Sequence, residues 1–196
     1  DFPHWDNMVY SIGWDRIRIS SVIEERDRPL SGLSFAQAAR QEGLSEAELF
    51  CRLLADNGSR VGVILMSMDP ADVDRVLTLP YVSVISDSLY GGGDMPHPRL
   101  YGSFPKFLRE YVREKGLLSL EEAVAKMTAL PARRLGLGDR GMLAPGKKAD
   151  VLLFDPASFT DRATFSEPKQ LSAGLWKVFV NGREPEQLPG QVVSRS

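Results

Sequence analysis

Cysteine and histidine, the side chains most useful for redox and metal chemistry, are nearly missing from this 196-residue chain, which holds one Cys and two His. With Cys51 alone, no disulfide and no cysteine zinc site can form within the chain, and a reducing, cytoplasmic setting is the expectation. Charge of one sign is lacking too. Lys and Arg number 24 against 26 Asp and Glu, a net charge of −2, and no run of five like charges occurs, so neither nucleic acid nor an anionic membrane finds an electrostatic footprint. No stretch approaches the ~18 apolar residues of a membrane span. The N-terminus has no charged-then-apolar signal-peptide layout, and no repeat of fixed period is visible. An initiator methionine is missing before Asp1-Phe2-Pro3, so a processed product or an excerpt of a longer chain is expected.

What is present suits an ordered globular protein: 43% apolar, 26% charged and 9% aromatic residues. The length suffices for one good core with room for a small appendage. Helix starts are legible because polar residues stand where a helix needs acceptors for its first N–H groups. Ser34 precedes Phe35, Ala38 and Ala39. Ser45 with Glu48 makes a capping box ahead of Leu49, Phe50, Leu53 and Leu54, closed by Asn57-Gly58. Asp69-Pro70 starts a third helix with Val73, Val76 and Leu77. Ser103 starts a fourth, running to Gly116; Ser119 with Glu122 boxes a fifth; a short sixth covers residues 132–135.

Between the helices, residues 16–20 alternate as a strand, whereas 61–68 and 82–85 are apolar runs of the kind buried on both faces of a parallel sheet. The order suggests βαβ layering. After Gly141 the texture shifts to strand segments at 142–143, 151–154 and 175–180, the last ending in the hairpin-type turn Asn181-Gly182, so this tail reads as antiparallel β. The expected division is 1–138 and 139–196.

Two motifs in the tail mislead. Gly136, Gly138 and Gly141 spell G-x-G-x-x-G but follow a helix and precede strands, the reverse of a dinucleotide site. Gly141 to Lys147 spell G-x-x-x-x-G-K, yet Lys148 replaces the magnesium-holding Ser or Thr and Pro145 deletes a backbone donor. A turn accounts for both.

Residues 86–99 differ in kind. Asp87 follows the apolar run 82–85, which puts a carboxylate at the carboxyl end of an expected strand, where parallel α/β folds gather their sites. A Gly91-Gly92-Gly93 loop and Pro96-His97-Pro98-Arg99 come next, and such a loop can close over a small substrate. Composition alone also allows a plainer account, in which Asp87 caps a loop and Arg99 pairs with a surface acid.

The blocks Ile85-Ser86-Asp87, Pro96-His97-Pro98-Arg99-Leu100-Tyr101-Gly102-Ser103-Phe104 and Leu120-Glu121-Glu122-Ala123 with Lys126-Met127-Thr128 closely resemble the N-acyl-D-amino-acid deacylases, or D-aminoacylases, of the amidohydrolase superfamily. Leu130-Pro131-Ala132, Asp139-Arg140-Gly141, Ala149-Asp150-Val151, Phe154-Asp155-Pro156 and Val178-Phe179-Val180-Asn181-Gly182 extend the resemblance in order. It runs from about Asp69 to Gly182 and departs at Ser88, where a glycine is expected.

The resemblance implies an α/β fold: the C-terminal part of a metal-dependent (β/α)₈ barrel plus strands of a small antiparallel β-sandwich. A whole barrel takes ~250 residues, so the chain is expected to be a C-terminal piece, with zinc and its ligands in the full-length parent and no metal in the piece. It further implies hydrolysis of a small N-acyl-D-amino acid by a metal-bound water, with Asp87 as general base and Arg99 gripping the substrate α-carboxylate. His97 is expected to shape the loop. His4 aligns with no metal block, and Cys51 is expected to be a buried packing residue. A cyclic-amide hydrolase of the same superfamily would keep Asp87 without needing Arg99, and a metal-free half-barrel serving binding or assembly is the reading from another class. The oligomeric state is left open.

Overall fold

In the computed structural model, which describes residues 6–88 and 95–184, the elements follow in the order α1 (Met8–Ile12), β1 (Ile17–Ser21), α2 (Phe35–Glu42), α3 (Glu46–Asp56), β2 (Gly62–Leu65), α4 (Pro70–Thr78), α5 (Arg99–Phe107), α6 (Leu120–Met127), α7 (Ala129–Arg134), β3 (Val151–Phe154) and β4 (Leu175–Phe179). Wider π turns over Leu108–Glu114 follow α5. Among the described residues no helix is long and apolar enough to cross a membrane.

Three reciprocal serine caps open helices as the sequence suggested. Ser34 Oγ accepts from the Gln37 N–H at 3.2 Å while Gln37 Oε1 accepts from the Ser34 N–H at 2.9 Å, and Ser45/Glu48 and Ser119/Glu122 repeat the exchange. These bonds favour ionised carboxylates, and the serine hydroxyl and amide hold Glu48 and Glu122 below the usual carboxylate range. Two other starts differ from expectation. The helix assigned to Ser103 begins at Arg99, and the last short helix begins at Ala129 rather than Ala132, since Pro131 falls in its first turn, where a missing N–H breaks no helical bond.

The chain divides into two units. The first comprises Asp1–Asp69, Ser88–Leu100 and Thr164–Lys169. Its core joins Ile17 and Ile19 of β1 to Phe35, Ala38 and Ala39 of α2 and Leu49 and Leu53 of α3; each large apolar side chain buried there contributes ~1.5–3 kcal/mol. The rings of Trp14, Phe35 and Phe50 lie 5.5, 5.6 and 5.8 Å apart, centroid to centroid. Two expectations fail here. β1 and β2 pair antiparallel, Ile17 opposite Leu65 and Ile19 opposite Val63, so the run at 61–68 is not a parallel strand. It is not buried on both faces either, because Val63, Leu65 and Met66 are exposed and Gly62 and Ile64 half-buried. Cys51 is exposed, not packed: two residues from Leu49 it lies ~200° around the helix from the buried stripe.

The second unit comprises Pro70–Asp87, Tyr101–Ala163 and Gln170–Ser196. Val84, Phe107, Leu108, Tyr111, Ala123 and Phe159 form its core. Asp74 on α4 ties that core to the π turns, accepting from Tyr111 Oη at 2.6 Å and from Lys115 Nζ at 2.5 Å. β3 and β4 pair antiparallel, with Val151 opposite Phe179 and a bulge between Leu153 and Phe154, as the tail was expected to do. Met142 and Leu143 form no strand and are exposed, a correction to that expectation. Gly141 has a physical reason of its own: φ is +82°, and a Cβ there would stand 2.6 Å from Ala132 Cβ and 2.9 Å from the Thr128 carbonyl oxygen. The glycine motif is thus a tight exit from α7.

Candidate active-site residues

Asp87 is exposed and lies in the segment without regular secondary structure that follows α4. Residues 82–85 were expected to be a parallel strand, and among the described residues they join no sheet. Residues of α6 and α7 bond to the backbone of 79–84 instead. Lys126 Nζ donates to the carbonyls of Leu79 and, at 3.1 Å, Val82; the Val84 N–H donates to the Lys126 carbonyl at 3.0 Å; and Arg134 donates to the Tyr81 carbonyl. Val84, buried in the second core, anchors the same stretch. Of the run only Val84 enters this core, while Ile85 is exposed.

The backbone of Asp87 has φ +47°, in the left-handed region that a non-glycine residue enters at some cost. Strain of this kind persists only where the surroundings hold it, and it concentrates at functional positions.

Arg99 belongs to the first unit, Asp87 to the second. Arg99 was expected on a loop and instead opens α5, exposed, with Pro98 just before it. A cation in the first turn is disfavoured by the positive end of the helix, so local helix energetics do not explain an arginine there.

His97 shapes this corner. Its Nδ1 accepts the Arg99 N–H at 3.0 Å, its carbonyl accepts the Leu100 N–H at 3.1 Å, and its ring meets the edge of Phe165 at 5.2 Å between centroids. Phe165 in turn lies under the Arg18 guanidinium, 5.9 Å from the ring centre, and Met95 N–H bonds the Ser20 carbonyl at 3.0 Å. Phe165 was missed in the sequence because a lone aromatic 68 residues downstream carries no local signal. Lys126 was passed over although a lysine among Ala123, Met127 and Leu120 on an apolar stripe was a signal.

Zinc needs about three protein donors. No group of three or more His, Cys, Asp or Glu that could hold a metal occurs among the described residues. Cys51 points out from α3 and His97 Nδ1 is engaged with a backbone N–H. The described residues therefore do not fit a zinc site. His4 lies outside the described residues, as do 89–94 of the glycine-rich loop.

A sequence model of the amidohydrolase family matches residues 82–184, just over half of the chain and inclusive of Asp87 and Arg99, and the chain belongs to that family. Relatives that match over most of the chain include D-aminoacylases. The chain is 43% identical over 171 residues to the N-acyl-D-aspartate deacylase of Alcaligenes xylosoxydans xylosoxydans, covering 84% of this chain and 33% of that one. It is 42% identical over 153 residues to the D-aminoacylase of the same organism, covering 78% and 30%. The crystal structure of N-acyl-D-glutamate deacylase from Bordetella bronchiseptica, complexed with zinc and a phosphonate inhibitor that mimics the tetrahedral intermediate, superposes with a TM-score of 0.82 at 40% identity, covering 94% and 37%. The chain spans about a third of the length of the curated relatives it matches.

Proposed function

We propose that the whole protein hydrolyses the amide of N-acyl-D-amino acids, with this chain contributing the proton-transferring carboxylate and the clamp for the substrate's α-carboxylate. The observation that carries this is identity of 40% or more, over most of the chain, to deacylases named for three N-acyl-D-amino-acid chemistries, aspartate, glutamate and the broader D-aminoacylase class. All three share a D-configured α-carbon with a free carboxylate, which suits a bidentate guanidinium. In this reading residues 1–138 are the C-terminal part of a (β/α)₈ barrel and 139–196 the sandwich strands and tail. The setting is cytoplasmic.

Asp87 takes a proton from the attacking water as its oxygen bonds to the acyl carbon. It returns that proton to the amide nitrogen as the C–N bond breaks, because an amine must be protonated to leave. The products are a carboxylic acid and a D-amino acid. Arg99 holds the α-carboxylate and fixes which face of the amide meets the water. Zinc belongs to the whole enzyme in this proposal, where it would activate the water, and the described residues supply no ligands for it.

The test is steady-state kinetics on the full-length protein. Asp87→Asn keeps the side-chain shape and removes the acceptor, so kcat is expected to fall ~10²-fold or more with folding unchanged. Arg99→Ala is expected to raise KM for N-acyl-D-amino acids ~10-fold or more and to leave the α-carboxamide analogues unaffected. A near-wild-type kcat for Asp87→Asn, or an Arg99 effect equal for acid and carboxamide, overturns the assignment.

A further inference from the structure

We propose that Lys126 is a positioning residue for Asp87, pinning through hydrogen bonds the segment that carries the carboxylate to its place. The inference rests on Asp87 being the proton acceptor proposed above.

Residues 79–84 make none of the ladder bonds that hold a strand in a sheet among the described residues. Three contacts of Lys126 replace them: its ammonium bonds the Leu79 and Val82 carbonyls, and its own carbonyl takes the Val84 N–H. The lysine is only 5% exposed. Burying an ammonium is costly, and burial pulls its pKa down from the usual lysine value, opposed by Glu122 one turn earlier. Ala123, Met127 and Leu120 around it form an apolar stripe, where a methionine or leucine would pack without that cost. An apolar residue at 126 would avoid that cost and leave the Leu79 and Val82 carbonyls without this donor.

What the lysine supplies is a fixed backbone. Two carbonyls three residues apart converge on one donor group, and the Val84 amide, two residues beyond the second, is held by the same residue's carbonyl. Three residues beyond Val84 the backbone must enter the left-handed region at Asp87. A strained residue keeps its geometry only if the chain on its approach cannot relax, and proton transfer fails when donor and acceptor are misplaced by ~1 Å.

The decisive experiment compares Lys126→Met and Lys126→Gln with wild type and with Asp87→Asn in the full-length protein, with kcat expressed per folded enzyme by circular dichroism. Lys126→Met keeps the stem and removes the donors. It is expected to lower kcat at least tenfold with KM within twofold, and Lys126→Gln, which restores N–H donors, to recover part of that loss. A purely structural lysine would change the folded fraction and leave kcat per folded molecule alone. Wild-type kcat in folded Lys126→Met overturns the inference, as does a loss confined to KM. Should Lys126→Met not fold, Lys126→Gln decides by the same criterion with a threefold loss as the threshold. Failure of both to fold marks the residue as structural and also overturns it. A silent Asp87→Asn refutes the proposed function, whereas an impaired Asp87→Asn beside a normal Lys126→Met refutes the clamp alone.

Discussion

Asn57 Nδ2 donates to Asp27 Oδ2 at 2.9 Å across 30 residues of sequence, and both side chains are about 1% exposed. The asparagine has every capacity filled: Nδ2 also donates to the Leu53 carbonyl at 2.9 Å, and Oδ1 accepts from the Ile23 and Glu24 N–H groups at 2.7 and 2.8 Å. Arg52 closes the group on the other Asp27 oxygen at 2.8 Å. One residue thus ends α3, holds the chain after β1 and shares a buried carboxylate with an arginine. Asn57→Ala is expected to destabilise the protein by ~1–3 kcal/mol, because it leaves the Ile23 and Glu24 N–H groups and half of a buried carboxylate without their partner. Urea unfolding followed by tryptophan fluorescence measures it. A loss below ~0.5 kcal/mol would mean that water fills the gap without penalty.

Asp74 gives the protein an acid-sensitive joint. Hydrogen bonds from Lys115 first and Tyr111 second lower its pKa from 3.8. The folded value lies below the unfolded one, so the contribution is complete above about pH 5 and is lost as pH falls through the folded value. Wild type should lose stability steeply below pH 4. Asp74→Asn should be less stable at neutral pH and show a shallower acid decline, read from thermal melts across that range. Parallel curves for the two proteins would refute the joint. Tyr111 keeps its proton throughout, since burial first and Asp74 second push its pKa well above the usual phenol value.

Gly141→Ala combines a φ of +82° with contacts a Cβ cannot accept. A loss of about 2 kcal/mol is expected. Gly138→Ala in the same motif has open space and no positive φ, and its melt should match wild type. A phosphate-binding loop would need both glycines; this asymmetry is the mark of a turn.

His97→Ala removes the acceptor of the Arg99 N–H at the start of α5. Loss of a cap costs ~1 kcal/mol. Hydrogen exchange at the Arg99 amide should speed about fivefold, and KM should rise for substrates bearing an α-carboxylate. His97→Asn, which can accept the same bond, should restore both.

Legibility in the sequence followed the range of the forces involved. Ser34, Ser45 and Ser119 bond to residues three positions away, so their caps were readable from spacing. The apolar alternation of β1 was local as well, as was the antiparallel character of β3 and β4 with the turn at Asn181-Gly182. The order of motif blocks from Asp87 to Gly182 sufficed to name the family, because shared ancestry is written in linear order.

Tertiary structure decided the rest. An apolar run states that residues are buried and not against what: 61–68 and 82–85 look alike on paper, yet one supplies an antiparallel strand and the other is held by a lysine and an arginine from later helices. Arg99 was legible as part of a motif block and not as the first residue of a helix, whose start is bonded to an imidazole that meets Phe165 from far along the chain. Asp87 was legible as a carboxylate in the right block, while its left-handed backbone was not. Side-chain chemistry is a property of the residue, but strain and the groups that hold it are properties of neighbours that only folding brings together.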